Sequence, residues 1–77
     1  MVYLTIDARN RTPLVEQIVS GVSQQIETHL LMPGGRLPSI RTFAREYQVS
    51  RFTVVGAYDR LVALGYVQSR RGSGFFT

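Results

Sequence analysis

Two short apolar stripes, three residues apart, constrain the fold of this chain more than any other feature. Ile40, Phe43, Ala44 and Tyr47 fall at i, i+3, i+4 and i+7, and Val54, Ala57, Tyr58 and Leu61 repeat the set. That spacing lays each set along one face of a helix. Only Gln48-Val49-Ser50 stands between the two helices, enough for a tight turn and nothing more, so the pattern matches a helix-turn-helix. Val49 is apolar and suited to plug between the helices, while Ser39 and Ser50 are placed as their N-caps. Leu64 closes the last turn of the second helix, and Gly65 supplies a left-handed C-cap.

A longer helix is expected upstream. Thr12 is a good N-cap, Pro13 is tolerated at the first helical position, and Glu16 complements the helix dipole. Val15, Ile18, Val19, Val22, Ile26 and Leu30 recur at steps of three and four and define its buried stripe. Met32-Pro33-Gly34-Gly35 breaks the helix and turns the chain. Before it, Val2 to Ile6 alternates apolar and polar residues, as a short extended arm would, so residues 1–11 read as an arm and 12–77 as the domain. After the helix-turn-helix, Tyr66–Ser69 and Phe75–Thr77 are β-prone runs flanking the glycine-rich Arg70-Arg71-Gly72-Ser73-Gly74, a hairpin signature. The fold class is therefore mainly α with a small β-hairpin: a winged helix-turn-helix of three helices and a two- or three-stranded wing. The chain ends on an expected strand, which suggests a domain cut from a longer protein.

Charge is distributed unevenly. Residues 1–35 sum to −1, whereas residues 36–77 carry seven arginines against Glu46 and Asp59 and sum to +5. A positive half-domain points to a polyanion. Every basic residue is arginine, a side chain suited to bidentate phosphate and guanine contacts. With no cysteine, neither a disulfide framework nor a thiolate metal site is available, as is usual inside cells, and cytoplasm is the expected location. No apolar run approaches the ~20 residues that span a bilayer, so no membrane association is expected. His29 is the single histidine, with no cysteine or second histidine to join it, and reads as a surface residue near a helix end. One histidine, five acids and no cysteine offer no nucleophile, acid–base pair or metal cage, so no catalysis, metal or cofactor is expected in this segment.

In a helix-turn-helix the second helix enters the major groove by its N-terminal end, which here is the helix over residues 50–64. Arg51 is the first candidate for a guanine edge or, failing that, a phosphate. Thr53 offers a hydroxyl to phosphate or a methyl to thymine. Phe52 either meets a thymine methyl or packs over a neighbouring side chain. Gly56 costs roughly 1 kcal/mol relative to alanine in mid-helix; it either lets the helix sit close to DNA or is tolerated. Ser39 and Ser50 leave helix N-termini free to face phosphates. Arg41, Arg45 and Gln48 share the outer face of the first short helix, and Arg41 should reach the DNA backbone. On the wing (66–77), Arg70 and Arg71 can grip phosphates or enter the minor groove, and Gly72, Ser73 and Gly74 allow a tight turn and close approach.

These pieces, in this order, resemble the N-terminal winged helix of the GntR family of bacterial regulators. The resemblance rests on Pro13-Leu14…Gln17-Ile18, Leu37-Pro38-Ser39-x-Arg41, Val49-Ser50-Arg51-x-Thr53-Val54, Leu61…Gly65-Tyr66 and Arg71-Gly72-Ser73-Gly74-x-Phe76. It covers about residues 12–77. Ala57-Tyr58…Leu61 and the Gly-Ser-Gly wing look most like the MocR-type branch, which implies pyridoxal phosphate in an absent, aminotransferase-like C-terminal domain. The resemblance also implies DNA contacts at Arg41, Arg51, Thr53 and the wing tip, and a homodimer in the full-length protein. Ile40 and Thr42 depart from the acids common after the helix-two cap, which weakens the usual capping box. Val55 and Gly56 stand where many members carry an arginine. The expected function is sequence-specific binding of double-stranded DNA in transcription regulation. The alternative is a winged helix that docks another protein through its wing or first helix.

Overall fold

The computed structural model describes residues 4–77; the first part of the expected arm, residues 1–3, lies outside the described residues. Three helices are followed by two strands: α1 Leu14–Glu27, α2 Ile40–Tyr47, α3 Arg51–Ala63, β1 Gln68–Arg70 and β2 Gly74–Phe76. The winged helix-turn-helix is the fold observed. Helix α3 is its centre and packs against both α1 and α2.

The entry to α1 differs from the expectation. Pro13, not Thr12, holds the N-cap position, and no side chain caps the helix there. Thr12 is engaged elsewhere: its amide donates to Asn10 Oδ1 (2.9 Å), and its carbonyl accepts from Gln17 Nε2 (2.8 Å). Gln17 also exchanges bonds with the Asp7 backbone, through its Oε1 and Nε2 (both 2.9 Å). One glutamine on the helix thus holds the incoming chain. Leu4 follows it down, its amide donating to the Tyr47 hydroxyl (3.1 Å), and its side chain occupies the space a Cβ at Gly21 would need.

The exit from α1 also differs. The helix stops at Glu27, ahead of the Pro-Gly-Gly segment, because His29 adopts the left-handed conformation at φ +62. The Leu31 amide then reaches back to the Gln25 carbonyl (3.1 Å). This reversal sends Leu31 into the core at 5% exposure and leaves Leu30, expected in the buried stripe, 74% exposed. His29 is a surface residue, and its role here is to stop the helix.

The two short helices follow the periodicity closely. Phe43 and Ala44 are buried on α2, with Ile40 and Tyr47 packed at the edge; Val54, Ala57, Tyr58 and Leu61 are all buried on α3. Gln48 takes the left-handed turn conformation and Val49 packs against the core. Gly65, at φ +86, ends α3 in a Schellman arrangement: its amide bonds the Val62 carbonyl (3.0 Å) and that of Tyr66 the Leu61 carbonyl (3.0 Å). Because the amides of Tyr66 and Val67 both serve that cap, β1 begins only at Gln68. The wing strands pair antiparallel, Gln68 with Phe76, Ser69 with Phe75 and Arg70 with Gly74. The other edge of β2 is covered by the loop before α2. Arg36 bridges Phe76, Leu37 N donates to Phe75 O (2.8 Å) and Thr77 N to Gly35 O (2.9 Å). The wing is therefore a two-stranded sheet whose free edge is met at its root by this one-residue bridge.

Gly56 faces α1, not the outer surface. A Cβ there would meet only Val15 Cγ2, at 3.6 Å, an ordinary contact. Gly56→Ala should therefore stabilise the domain by about 0.5–1 kcal/mol through lost unfolded-state entropy. Urea denaturation checks this; a lower midpoint would mean that the helices already touch at their limit.

Candidate nucleic-acid interface

The two N-caps that point α2 and α3 outward share one local design. Ser39 Oγ accepts from Thr42 N (3.1 Å) and bonds Thr42 Oγ1 (2.9 Å). Ser50 Oγ accepts from Thr53 N (3.0 Å) and lies 2.8 Å from Thr53 Oγ1. The Ser-x-x-Thr pair thus makes the forward half of a capping box at both helices, the threonine hydroxyl meeting the serine hydroxyl instead of the N-cap amide. It also qualifies the expectation for Thr53, whose hydroxyl is already engaged by the cap. Ser39 and Ser50 act first as helix starters; what they present outward is the rest of the first turn.

Arg41 and Arg45, one turn apart on α2, and Arg51, at the start of α3, line a single cleft of about 400 Å³ floored by Ala44 and Val49. All three arginines are exposed, and no ion pair ties them to an acid among the described residues. Three unpaired guanidinium groups around one concavity create a focused positive potential. Arg45 belongs to this cleft with Arg41, although the sequence marked it only as part of a basic face.

Beside Arg51, Phe52 is 86% exposed, which removes the alternative that its ring packs over a neighbour; Val55, one turn on, is 37% exposed. This end of α3 therefore presents an arginine and an apolar ridge.

The wing tip is a four-residue turn closed by Ser73 N on Arg70 O (2.9 Å), with Gly72 at φ +78 in its third position. Arg71 and Ser73 are exposed on it. Arg70 lies on the strand itself and lays its guanidinium over the Phe76 ring, 4.6 Å from the centroid, a cation–π contact that pre-orders the side chain. Gly74 pairs within β2 rather than forming part of the tip. No wing residue lines the arginine cleft; the two basic surfaces are joined through the interior, where Phe75 stacks edge-on against Tyr58 of α3 with centroids 4.8 Å apart.

A larger concavity, about 630 Å³, lies between residues 4–5 and α1. Gln17, Gln24, Gln25 and Thr28 line it with Leu4 and Leu30, so it carries no charge and no titratable group. It suits neither an anion nor acid–base chemistry. Among the described residues no three metal-ligating side chains cluster, and no helix is long and apolar enough to cross a membrane.

Residues 14–77 match the family model described as "Bacterial regulatory proteins, gntR family". The chain is 38% identical over 71 residues to YhdI of Bacillus subtilis, an uncharacterised HTH-type transcriptional regulator, with 92% of this chain and 15% of that protein covered. It is equally similar, at 38% over 71 residues, to MocR of Rhizobium meliloti, a probable rhizopine catabolism regulatory protein, covering 92% of this chain and 14% of that one. The chain thus spans about a seventh of the length of these curated relatives. Among solved structures, YtrA from Sulfolobus acidocaldarius, a GntR-family transcription factor, superposes with a TM-score of 0.90 at 32% identity, covering 96% of this chain and 78% of that one.

The Ser50 cap makes a direct test of how this surface is held. Ser50→Ala removes the acceptor for Thr53 N and should cost about 1 kcal/mol of stability. The deficit is read from the thermal midpoint; an unchanged midpoint would show that the start of α3 is fixed by packing alone.

Proposed function

This chain belongs to the gntR family of bacterial regulatory proteins, and from that premise we propose that residues 12–77 bind double-stranded DNA with sequence specificity, residues 1–11 forming an arm. The observation that carries the reading is the cleft of Arg41, Arg45 and Arg51 at the mouth of the helix-turn-helix. The start of α3 enters the major groove, with Arg51 set for a guanine edge and Phe52 for a thymine methyl. Arg41 grips the backbone, and the exposed first turns beyond Ser39 and Ser50 face phosphates. Thr53 offers its hydroxyl, which also meets Ser50 Oγ (2.8 Å), to a phosphate or its methyl to thymine. On the wing, Arg70, Arg71, Gly72, Ser73 and Gly74 meet the backbone or minor groove. Docking of another protein is the weaker reading, since the uncharged groove beside α1 lies apart from every arginine of the cleft.

In the whole protein, two such domains would be paired on two half-sites by a dimer. Similarity to MocR, one of several related regulators, supports a fused aminotransferase-like domain as the place for pyridoxal phosphate. The present residues do not fit that cofactor: the chain contains no lysine to form a Schiff base with it.

Selection from a randomised duplex pool, followed by binding across a salt series, tests the proposal. An enriched motif and a steep fall of log K with log salt are expected, and the Arg51→Ala, Arg70→Ala, Arg71→Ala triple variant should flatten that slope by about 2–3. Two domains joined by a flexible tether extend the assay to weak affinities. Weak binding that the triple variant leaves unchanged, tethered or not, would overturn the assignment of this surface and favour protein docking.

A further inference from the structure

The root of the wing carries a second basic feature that no motif marks. Arg36, in the loop before α2, bridges Phe76 on the edge of β2 opposite β1. Residues directly opposite in neighbouring strands point to the same side, and the side repeats every second residue. Arg36, Phe76 and Gln68 therefore share one face, with Arg70 and Gly74 next along it. Ser69 and Phe75 point the other way, and Phe75 meets Tyr58 in the core. Two contacts confirm the placement. The Arg36 guanidinium lies across Gly74, with Nε 3.3 Å from where a Cβ would stand, and Arg70 lies over Phe76. Gly74 is required by its backbone, at φ +112, and its lack of a side chain leaves room for the Arg36 guanidinium.

We propose that Arg36 is a DNA-phosphate ligand of the wing, lying across Gly74 so that the outer face of the two-stranded sheet and the bridge at its edge present Arg36 and Arg70 together. The proposal rests on the DNA-binding reading above and extends it to a residue outside both the helix-turn-helix and the hairpin. Arg36 is exposed, and no acid among the described residues pairs with it. Its charge is therefore available, while its guanidinium already lies against Gly74 on the sheet face, which reduces the entropy lost on gripping a ligand. The ligand is a phosphate because the face continues directly from the proposed DNA-binding tip: Gly74 pairs with Arg70, the first residue of the tip turn. It also offers guanidinium groups and no acceptor-reading side chain beyond Gln68.

Arg36→Met keeps an unbranched side chain and removes the charge; Arg36→Lys keeps the charge. Each is measured against the selected duplex and a scrambled one across a salt series, with thermal midpoints recorded. The methionine variant should weaken both duplexes by the same factor and reduce the salt slope by about 1, and lysine should restore most of the slope. A wild-type slope in Arg36→Met would overturn the proposal and leave Arg36 as a strut of the wing. Unequal loss on the two duplexes would also overturn it, in favour of a base contact. Should methionine loosen the wing, Arg36→Gln gives the same readout in a second neutral variant. Failure of the unsubstituted domain to bind any duplex would instead defeat the DNA-binding reading itself, and this proposal with it.

Discussion

The structure depends on one side chain, Tyr58. It sits on the inner face of α3 with no exposed surface, touching a different element on each side. Its ring meets Phe43 of α2 edge-on, centroids 5.9 Å apart, and Phe75 of β2 at 4.8 Å. Its hydroxyl donates to the Pro38 carbonyl (2.7 Å) in the loop that leads from the wing-edge segment into α2. Burial, with a smaller push from Tyr47, raises its phenol pKa well above the ordinary value, which favours the protonated donor. In a domain of this size, where the core is modest, a single aromatic that ties helix, loop and wing together does much of the positioning.

The arginines of the cleft and the wing are arranged around that anchor. The relation of α2 to α3, which decides whether Arg41, Arg45 and Arg51 surround one cleft, passes through the Phe43–Tyr58 contact. The relation of the wing to α3 passes through Phe75 and Tyr58. Arg36 enters through the same region, since Leu37 beside it is buried and hydrogen-bonds to Phe75. Glu27 accepts from the Tyr66 hydroxyl (2.5 Å), which fastens the end of α1 to the chain leaving α3. Positive potential at the surface is thus a product of core packing, since packing decides which arginines converge.

The helix-turn-helix was legible because it is local. Phe43, Ala44, Val54, Ala57, Tyr58 and Leu61 announce their faces by spacing, and Ser39, Ser50 and Gly65 announce helix ends by their chemistry. What escaped the sequence depends on contacts or backbone states without a residue signature. The choice of Leu31 over Leu30 for the core follows from a left-handed histidine, a residue type that rarely signals a helix stop. The engagement of Gln17 with Asp7 and Thr12 hides the expected Thr12 cap, because a long side chain can reach any of several backbone groups. The inward direction of Gly56 could be known only once α1 lay beside α3. Arg36 looks like part of a linker until β2, 40 residues later, supplies the strand it bridges.

If two separate arginine-bearing surfaces, the cleft and the wing, are organised through Tyr58, both meet duplex DNA together. Amide chemical-shift mapping of the isotope-labelled domain, titrated with a selected duplex, tests it most directly. The account predicts the largest shifts in residues 41–55 and 70–74 and at Arg36, with the outer face of α1 nearly unmoved. Shifts centred instead on Leu4, Gln24, Thr28 and Leu30, with the arginine cleft silent, would contradict it.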